Sequence, residues 1–329
     1  MHYFITGATG FVGGVVARML VADGHRVTAI VRNLAKASAL AAAGVALVAG
    51  DVTDRESMRA PMQGTDGVLH IAGWYKLGAR DGRDGEAINV QGTRNVLELM
   101  RDLHIPRGVY TSSIAVNSDT HGRIVDESYH FRGKHLSFYD DTKARAHFDV
   151  ADPLIAAGLP LVIVQPGLIY GPGDTSSVRT TFIQYLQRQL PVLPQRTAFC
   201  WSHVDDIARA HIAALEHGTP GNYIIAGPPH TLTEAMDLAA SITGIPAPML
   251  RLPPAALKFT AALVAPIENI LPVPADYRSE YLRVTAGTTY LGDNSKAKRE
   301  LGYNPRLLRD GLTQTLRHEM RLLGMEPRF

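Results

Sequence analysis

Within its first twenty residues the chain commits to a strand, a glycine turn and a helix. Tyr3, Phe4 and Ile5 form a short apolar run, and Gly7-Ala8-Thr9-Gly10-Phe11-Val12-Gly13 follows at once. Val12, Val15, Val16, Met19 and Leu20 then recur at helical spacing. Glycines serve such a turn in three ways: they permit its tight geometry, let backbone approach a pyrophosphate, and let helix pack closely on strand. The helix start adds unpaired N–H groups and a positive dipole end. The spacing here is G-x-x-G-x-x-G, which departs from the standard G-x-G-x-x-G. Its strand–turn–helix setting is what makes it a nucleotide loop; a merely tight turn is the alternative. Gly7, Thr9, Gly10, Phe11, Val12 and Gly13 are its candidate ligands.

The same rhythm continues along the chain. Strands are expected at 3–5, 27–31, 45–48, 67–71, 108–111 and 161–164, with helical patterns between them. One such pattern puts Asn89, Thr93, Val96 and Met100 on a single stripe. This alternation predicts an α/β fold, a doubly wound parallel sheet of Rossmann type, with a smaller C-terminal substrate-binding region. A length of 329 residues suits two domains or one large domain with an appendage. Residues 1–165 are expected to bind the dinucleotide, with segments near 203–229 and 284–293 returning to that domain. Residues 166–202, 230–283 and 294–329 would form the substrate-binding lid region. There, Val204, Ile207, Ala208, His211 and Leu215 mark one helix face, residues 223–226 a strand, and Thr231-Leu232-Thr233-Glu234 a capping box.

Composition removes several function classes. Lys and Arg number 33 against 31 Asp and Glu, so no basic field is available for nucleic acid. The single cysteine, Cys200, excludes an internal disulfide and a cysteine zinc site, and suits a reducing, cytoplasmic location. The start of the chain does not read as a targeting segment. The most membrane-like run, 259–267, has nine residues including Pro266, whereas a spanning helix needs about 20. No stable membrane insertion is expected. Thirteen histidines show no metal-ligand spacing, and His203 with Asp205 and Asp206 reads as a helix cap, so no metal is expected. Asn89 reads as a core polar group, and Pro153 as a kink or restart of its helix.

The end of the second strand bears on the cofactor. An NAD site usually carries an acid there for the ribose hydroxyls, whereas a nearby Arg accommodates a 2′-phosphate. Val31-Arg32-Asn33 has no acid, and Lys36 follows closely, so NADP(H) is favoured and NAD(H) is the alternative. After the third strand, Asp51 with Val52 either meets the adenine or, with Asp54, forms a turn and helix cap. Tyr139 and Lys143 stand at i and i+4 on one helical face continued by Ala146 and Val150. A phenol titrates near 10, and a neighbouring ammonium lowers that value towards working range. Ser112 and Ser113, at the end of the preceding strand, offer a hydroxyl to orient a carbonyl.

Together with Pro166-Gly167-Leu168-Ile169-Tyr170-Gly171-Pro172-Gly173, these motifs make chance a poor account. Residues 89–96, 201–208 and 295–303 add to the pattern. The chain resembles the extended short-chain dehydrogenase/reductases of the NAD-dependent epimerase/dehydratase superfamily. It looks most like their dihydroflavonol-4-reductase-like branch. That resemblance implies that Tyr139 donates a proton, Lys143 binds the nicotinamide ribose and tunes Tyr139, and Ser113 bonds the carbonyl oxygen. Ser112 is the alternative hydroxyl. Pro166, Gly167 and Ile169 would lie along the nicotinamide, and Ile71, Ala72 and Gly73 would pass the phosphates. Gly73-Trp74 departs from the usual small-residue pair.

The implied activity is NADP(H)-dependent reduction of an aldehyde or ketone. The alternatives are a sugar-nucleotide epimerase or dehydratase with tightly bound NAD, and a non-catalytic NADP-sensing regulator. The Ser113, Tyr139 and Lys143 set weighs against the regulator, which needs no proton donor. A sugar nucleotide calls for cations at its diphosphate. Yet residues 247–272 carry only Arg251, Lys258 and Glu268 as charges. An apolar or aromatic small-molecule carbonyl is therefore expected, although the same stretch suits a self-packed lid or a homodimer face.

Overall fold

The computed structural model describes residues 1–79, 81–268, 270–327 and 329. Seven strands form the main sheet: β1 (His2–Thr6), β2 (Arg26–Val31), β3 (Ala46–Ala49), β4 (Gly67–His70), β5 (Gly108–Thr111), β6 (Leu161–Pro166) and β7 (Gly221–Ile225). Their spatial order is β7-β6-β5-β4-β1-β2-β3, and every pair is parallel. Tyr3 of β1 lies opposite Val27 on one side and Gly67 on the other. From β1 the chain runs outward through β2 and β3, then returns to β4 on the opposite side. That reversal opens a crevice beyond the C-terminal ends of β1 and β4, where such sheets bind ligands.

Helices cover both faces, which is why the strands are apolar runs and not alternating patterns. On one face, Val16, Ala17 and Leu20 of helix Phe11–Ala22 share a core with Ile207, Ala208 and Leu215 of helix Val204–His217. On the other, Met58, Met62, Val96, Met100, Ala146 and Val150 pack together. The stripe from Asn89 to Met100 spans two helical forms, a π-helical turn at Glu86–Gly92 and an α-helix at Thr93–Asp102. The helix of Tyr139 is likewise composite. Phe138–Arg145 passes into a π-helical turn at Ala146–Ala151, and Asp152–Ala156 restarts with Pro153 in its first turn.

The C-terminal region centres on the strand Ala198–His203. Leu168–Tyr170 and Thr289–Tyr290 pair with it in parallel, and Pro229–Thr231 antiparallel. Tyr170, Phe182, Tyr185, Trp201, Met236, Leu312 and Leu316 form the core beneath. The expected capping box is present in both arms at helix Leu232–Thr243.

Two segments trade places relative to the sequence expectation. Residues 289–290, expected in the dinucleotide domain, belong to the smaller sheet. Helix Ser295–Leu301, expected in the lid region, packs on the main sheet because Ala297, Leu301 and Tyr303 form an apolar stripe. Lys296 reinforces this by donating to the Asn222 carbonyl at 2.8 Å and lying 4.2 Å from the Tyr223 ring centre.

The 247–272 stretch, within which Asn269 lies outside the described residues, builds a small core of its own. Leu257 and Ala261 of helix Pro254–Val264 pack on Leu282 and Ala286. Phe259, Leu263, Ile267, Ile270 and Leu271 remain exposed. Among the described residues, no helix is long and apolar enough to cross a membrane.

Candidate active site

The glycine loop is fixed by contacts of backbone with backbone. Gly7 has φ +77°, and a Cβ placed on it would lie 2.5 Å from the Ala72 nitrogen. A Cβ on Gly13 would lie 2.3 Å from the Gly7 oxygen. Helix Phe11–Ala22 starts at Gly10 with no side-chain cap, so its first-turn amides face the loop without a side-chain acceptor. Thr9 and Gly10 are exposed, and Phe11 and Val12 are half-buried. A cradle closed to any Cβ, at an uncapped helix N-terminus, fits a dinucleotide pyrophosphate.

At the end of β2, Arg32 and Lys36 are exposed, and no salt bridge among the described residues includes either. Beyond β3, Asp51 accepts from the Thr53 amide at 2.9 Å and hydroxyl at 2.8 Å. Asp54 caps helix Arg55–Met62 through the amides of Glu56 and Ser57. Asp54 is thus a helix cap, whereas Asp51 spends one carboxylate oxygen on its own turn. Val52 is buried, and its carbonyl accepts from Asn95 at 2.9 Å.

The exit of β4 runs from the glycine loop towards the lysine. The Ile71 amide donates to the Thr6 carbonyl, and the Ala72 amide to the Thr6 hydroxyl at 3.2 Å. A Cβ on Gly73 would lie 3.4 Å from Lys143 Nζ and 3.5 Å from Asn89 Oδ1. Asn89 is a buried clamp: it accepts from the Trp74 amide at 2.7 Å and donates to the Trp74 carbonyl at 3.0 Å. Pro166 ends β6, and Gly167 passes the small sheet so closely that a Cβ would lie 2.2 Å from the Cys200 oxygen. Ile169 follows, opposite Ser202.

The two serines after β5 face different ways. Ser112 Oγ lies 2.7 Å from Nδ1 of the buried His147 and is committed to the helix layer. Ser113 Oγ accepts from the Ala115 amide at 3.1 Å and lies beside the Tyr139 phenol. Lys143 Nζ donates to the Thr111 carbonyl at 2.8 Å and sits 5.2 Å from the Tyr110 ring centre. Burial lowers Lys143 to about 7. Burial also pushes the Tyr139 phenol above its ordinary range, with the Ser113 hydrogen bond acting the other way. This corrects the sequence expectation of a phenol lowered by its lysine. Desolvation of the phenol dominates, and the ammonium is held by the Thr111 carbonyl.

Several residues that sequence reasoning missed surround Tyr139. The Tyr75 ring meets it edge-on, with centres 4.8 Å apart and planes at 88°. Glu280, buried, accepts from the amides of Gly78 at 2.9 Å and Phe138 at 3.2 Å. Asp140, beside Tyr139, accepts from the Tyr290 hydroxyl at 2.9 Å, and burial raises it to about 7. Glu280 and Tyr290 lie far from Tyr139 in sequence and belong to no motif; only the unusual Gly73-Trp74 pair points to this loop. Cys200 is a buried thiol raised to about 11, unsuited to nucleophilic work. His203 caps helix Val204–His217, and Asp206 pairs with Arg306 at 2.9 Å. No cluster among the described residues could hold a metal.

A dinucleotide cradle leading to a hydroxyl, a phenol and an ammonium at the strand ends defines a nicotinamide-dependent oxidoreductase of the doubly wound class. Residues 3–226 match the model of the NAD dependent epimerase/dehydratase family, and the chain belongs to that family. It is 33% identical over 315 residues to the "Putative dihydroflavonol 4-reductase" of Synechocystis sp., covering 91% of this chain and 89% of that protein. It is 30% identical over 322 residues to the 4-hydroxy-2-methyl-3-oxo-4-farnesyl-3,4-dihydroquinoline-1-oxide ketoreductase of Stigmatella aurantiaca, covering 93% of each. Among solved structures, gox2253 superposes with a TM-score of 0.84 at 28% identity, covering 98% of this chain and 99% of that one.

Proposed function

We propose that the protein is an NADP(H)-dependent reductase of aldehydes or ketones, with an apolar or aromatic substrate. The observation that carries this reading is the meeting of the Ser113 and Tyr139 hydroxyls at the strand ends, with Lys143 behind Gly73. When bound, the nicotinamide supplies hydride to the carbonyl carbon. Ser113 orients the carbonyl oxygen. Tyr139 holds the proton that this oxygen takes as negative charge develops on it. Lys143, whose ammonium the Thr111 carbonyl holds behind Gly73, would bind the ribose hydroxyls.

Residues 1–165 would hold the dinucleotide, and the C-terminal region would shape the substrate pocket. Gly7, Thr9, Gly10, Phe11, Val12 and Gly13 would take the pyrophosphate, with Ile71, Ala72 and Gly73 beside it. Pro166, Gly167 and Ile169 would flank the nicotinamide, and Asp51 and Val52 the adenine. The exposed side chains of Arg32 and Lys36, outside any ion pair of the described residues, favour a 2′-phosphate. Leu77, Leu136, Phe199 and Tyr139 border one apolar cluster, which favours an apolar substrate. The name of the Stigmatella relative, a ketoreductase of a farnesylated compound, is consistent with that choice.

The test is a panel of carbonyl compounds with NADPH and NADH, followed by nicotinamide absorbance. Consumption of NADPH in preference to NADH with apolar or aromatic carbonyls is expected. Copurification of tightly bound NAD, with conversion of a nucleotide sugar and no net nicotinamide oxidation, would replace this reading by the epimerase one.

A further inference from the structure

The loop after β4 is anchored at two points, and one large aromatic side chain is left open between them. Asn89 grips both backbone groups of Trp74. Four residues on, Gly78 is gripped in the same way: Glu280 accepts from its amide at 2.9 Å, and Arg278 donates to its carbonyl at 2.6 Å. A Cβ on Gly78 would lie 2.4 Å from the Ala275 oxygen, so residues 275–280 lie directly on this loop. The segment that reaches this loop is thus 275–280, downstream of the 247–272 stretch.

Between the anchors, Trp74 is buried whereas Tyr75 is 44% exposed. The Tyr75 ring stands perpendicular to that of Tyr139, and its hydroxyl lies towards Ser177, in the first turn of helix Ser177–Leu186. Tyr75 therefore stands between the proton donor and the C-terminal region. An aromatic ring on an anchored backbone, packed against a second ring, presents a π-surface at little entropic cost. Leu77, Leu136 and Phe199 border the same apolar cluster as Tyr139.

Resting on the carbonyl-reductase reading, we propose that Tyr75 is a specificity-determining wall of the substrate pocket, selecting compounds whose carbonyl is attached to an aromatic or conjugated ring. Such a ring gains an offset or edge-to-face contact with Tyr75 beyond the area it buries. A saturated ring of similar size gains burial alone.

The experiment measures kcat/KM with NADPH for benzaldehyde and cyclohexanecarbaldehyde in the full chain. Three proteins are compared: wild type, Tyr75→Leu, which keeps apolar bulk without a π-face, and Tyr75→Phe, which keeps the face without the hydroxyl. Wild type should favour benzaldehyde. In Tyr75→Leu the benzaldehyde-to-cyclohexanecarbaldehyde ratio should fall about tenfold, the size of an aromatic pair contact, chiefly through KM. Tyr75→Phe should restore most of that ratio. An unchanged ratio in Tyr75→Leu, or an equal loss in Tyr75→Phe, overturns the proposal. Circular dichroism melts check that each variant folds, and should Tyr75→Leu fail to fold, Tyr75→Met takes its place with the same expected fall in the ratio. Wild type reducing both aldehydes without preference removes the Tyr75 role alone. Wild type reducing no member of the carbonyl panel removes the reductase reading, and this proposal with it.

Discussion

On the cofactor side of the cleft, backbone meets backbone. Gly7 lies against Ala72, Gly13 against Gly7 and Gly167 against Cys200, each too closely for a Cβ. On the substrate side, side chains from distant segments tie loops together. Glu280 joins Gly78 to Phe138, Tyr290 holds Asp140, and the Tyr75 ring packs on Tyr139. The first side tolerates little change because a shared cofactor fixes its shape. The second can be rebuilt residue by residue, which is how one fold comes to serve different substrates.

The sharpest way to break this contrast is to add a side chain to the cradle. Gly7→Val places a branched group at φ +77° and within 2.5 Å of the Ala72 nitrogen. It should weaken NADPH binding by on the order of 100-fold or more and lower the melting temperature. Gly10→Ala, where the nearest approach is 3.2 Å from the Gly7 oxygen, should do far less. Isothermal titration calorimetry decides; similar losses in the two variants would mean that close packing does not set the cradle.

Arg32→Ala tests the charge at the far end of the same half. Loss of a charge-assisted bond to the 2′-phosphate should raise the NADPH Kd by about tenfold and leave NADH nearly unchanged. Equal effects on both cofactors would remove Arg32 from the 2′-phosphate.

The smallest effect belongs to the substrate half and is read through pH. Asp140 is 2% exposed, and burial raises its carboxyl to about 7. Between about pH 4 and 7 the folded chain therefore holds a proton that the unfolded chain releases, so stability falls as pH rises through that window. Asp140→Asn keeps an acceptor for Tyr290 and carries no charge. It should raise the melting temperature by on the order of 5 °C at pH 8, and by much less at pH 5. An equal shift at both pH values would show that the carboxylate is not the source.

How much of this was legible in the sequence follows the same division. The glycine turn, the six early strands, the capping box at Thr231 and the Tyr139–Lys143 face depend on residues within a few positions of one another. Local pattern is enough to read them. The roles of Tyr75, Glu280 and Tyr290 depend on loops brought together across 64 to 202 residues of chain, and no spacing rule encodes such a meeting. The placing of helix Ser295–Leu301 is illegible for a related reason: its apolar stripe is visible, but which sheet it covers is set by tertiary packing. Spacing likewise shows only that Lys143 and Tyr139 share a helix face. Only the fold shows that its ammonium is taken by Thr111 and that the phenol is desolvated.

The most direct test of the central claim is Tyr139→Phe, with NADPH affinity and turnover of a carbonyl substrate measured on the same preparation. Loss of the phenol hydroxyl should cut kcat by a factor on the order of 10²–10⁴, as expected for a lost general acid, while NADPH still binds with near wild-type affinity. Near-normal turnover by the Phe variant would contradict the account, because the proton would then reach the substrate oxygen from another group.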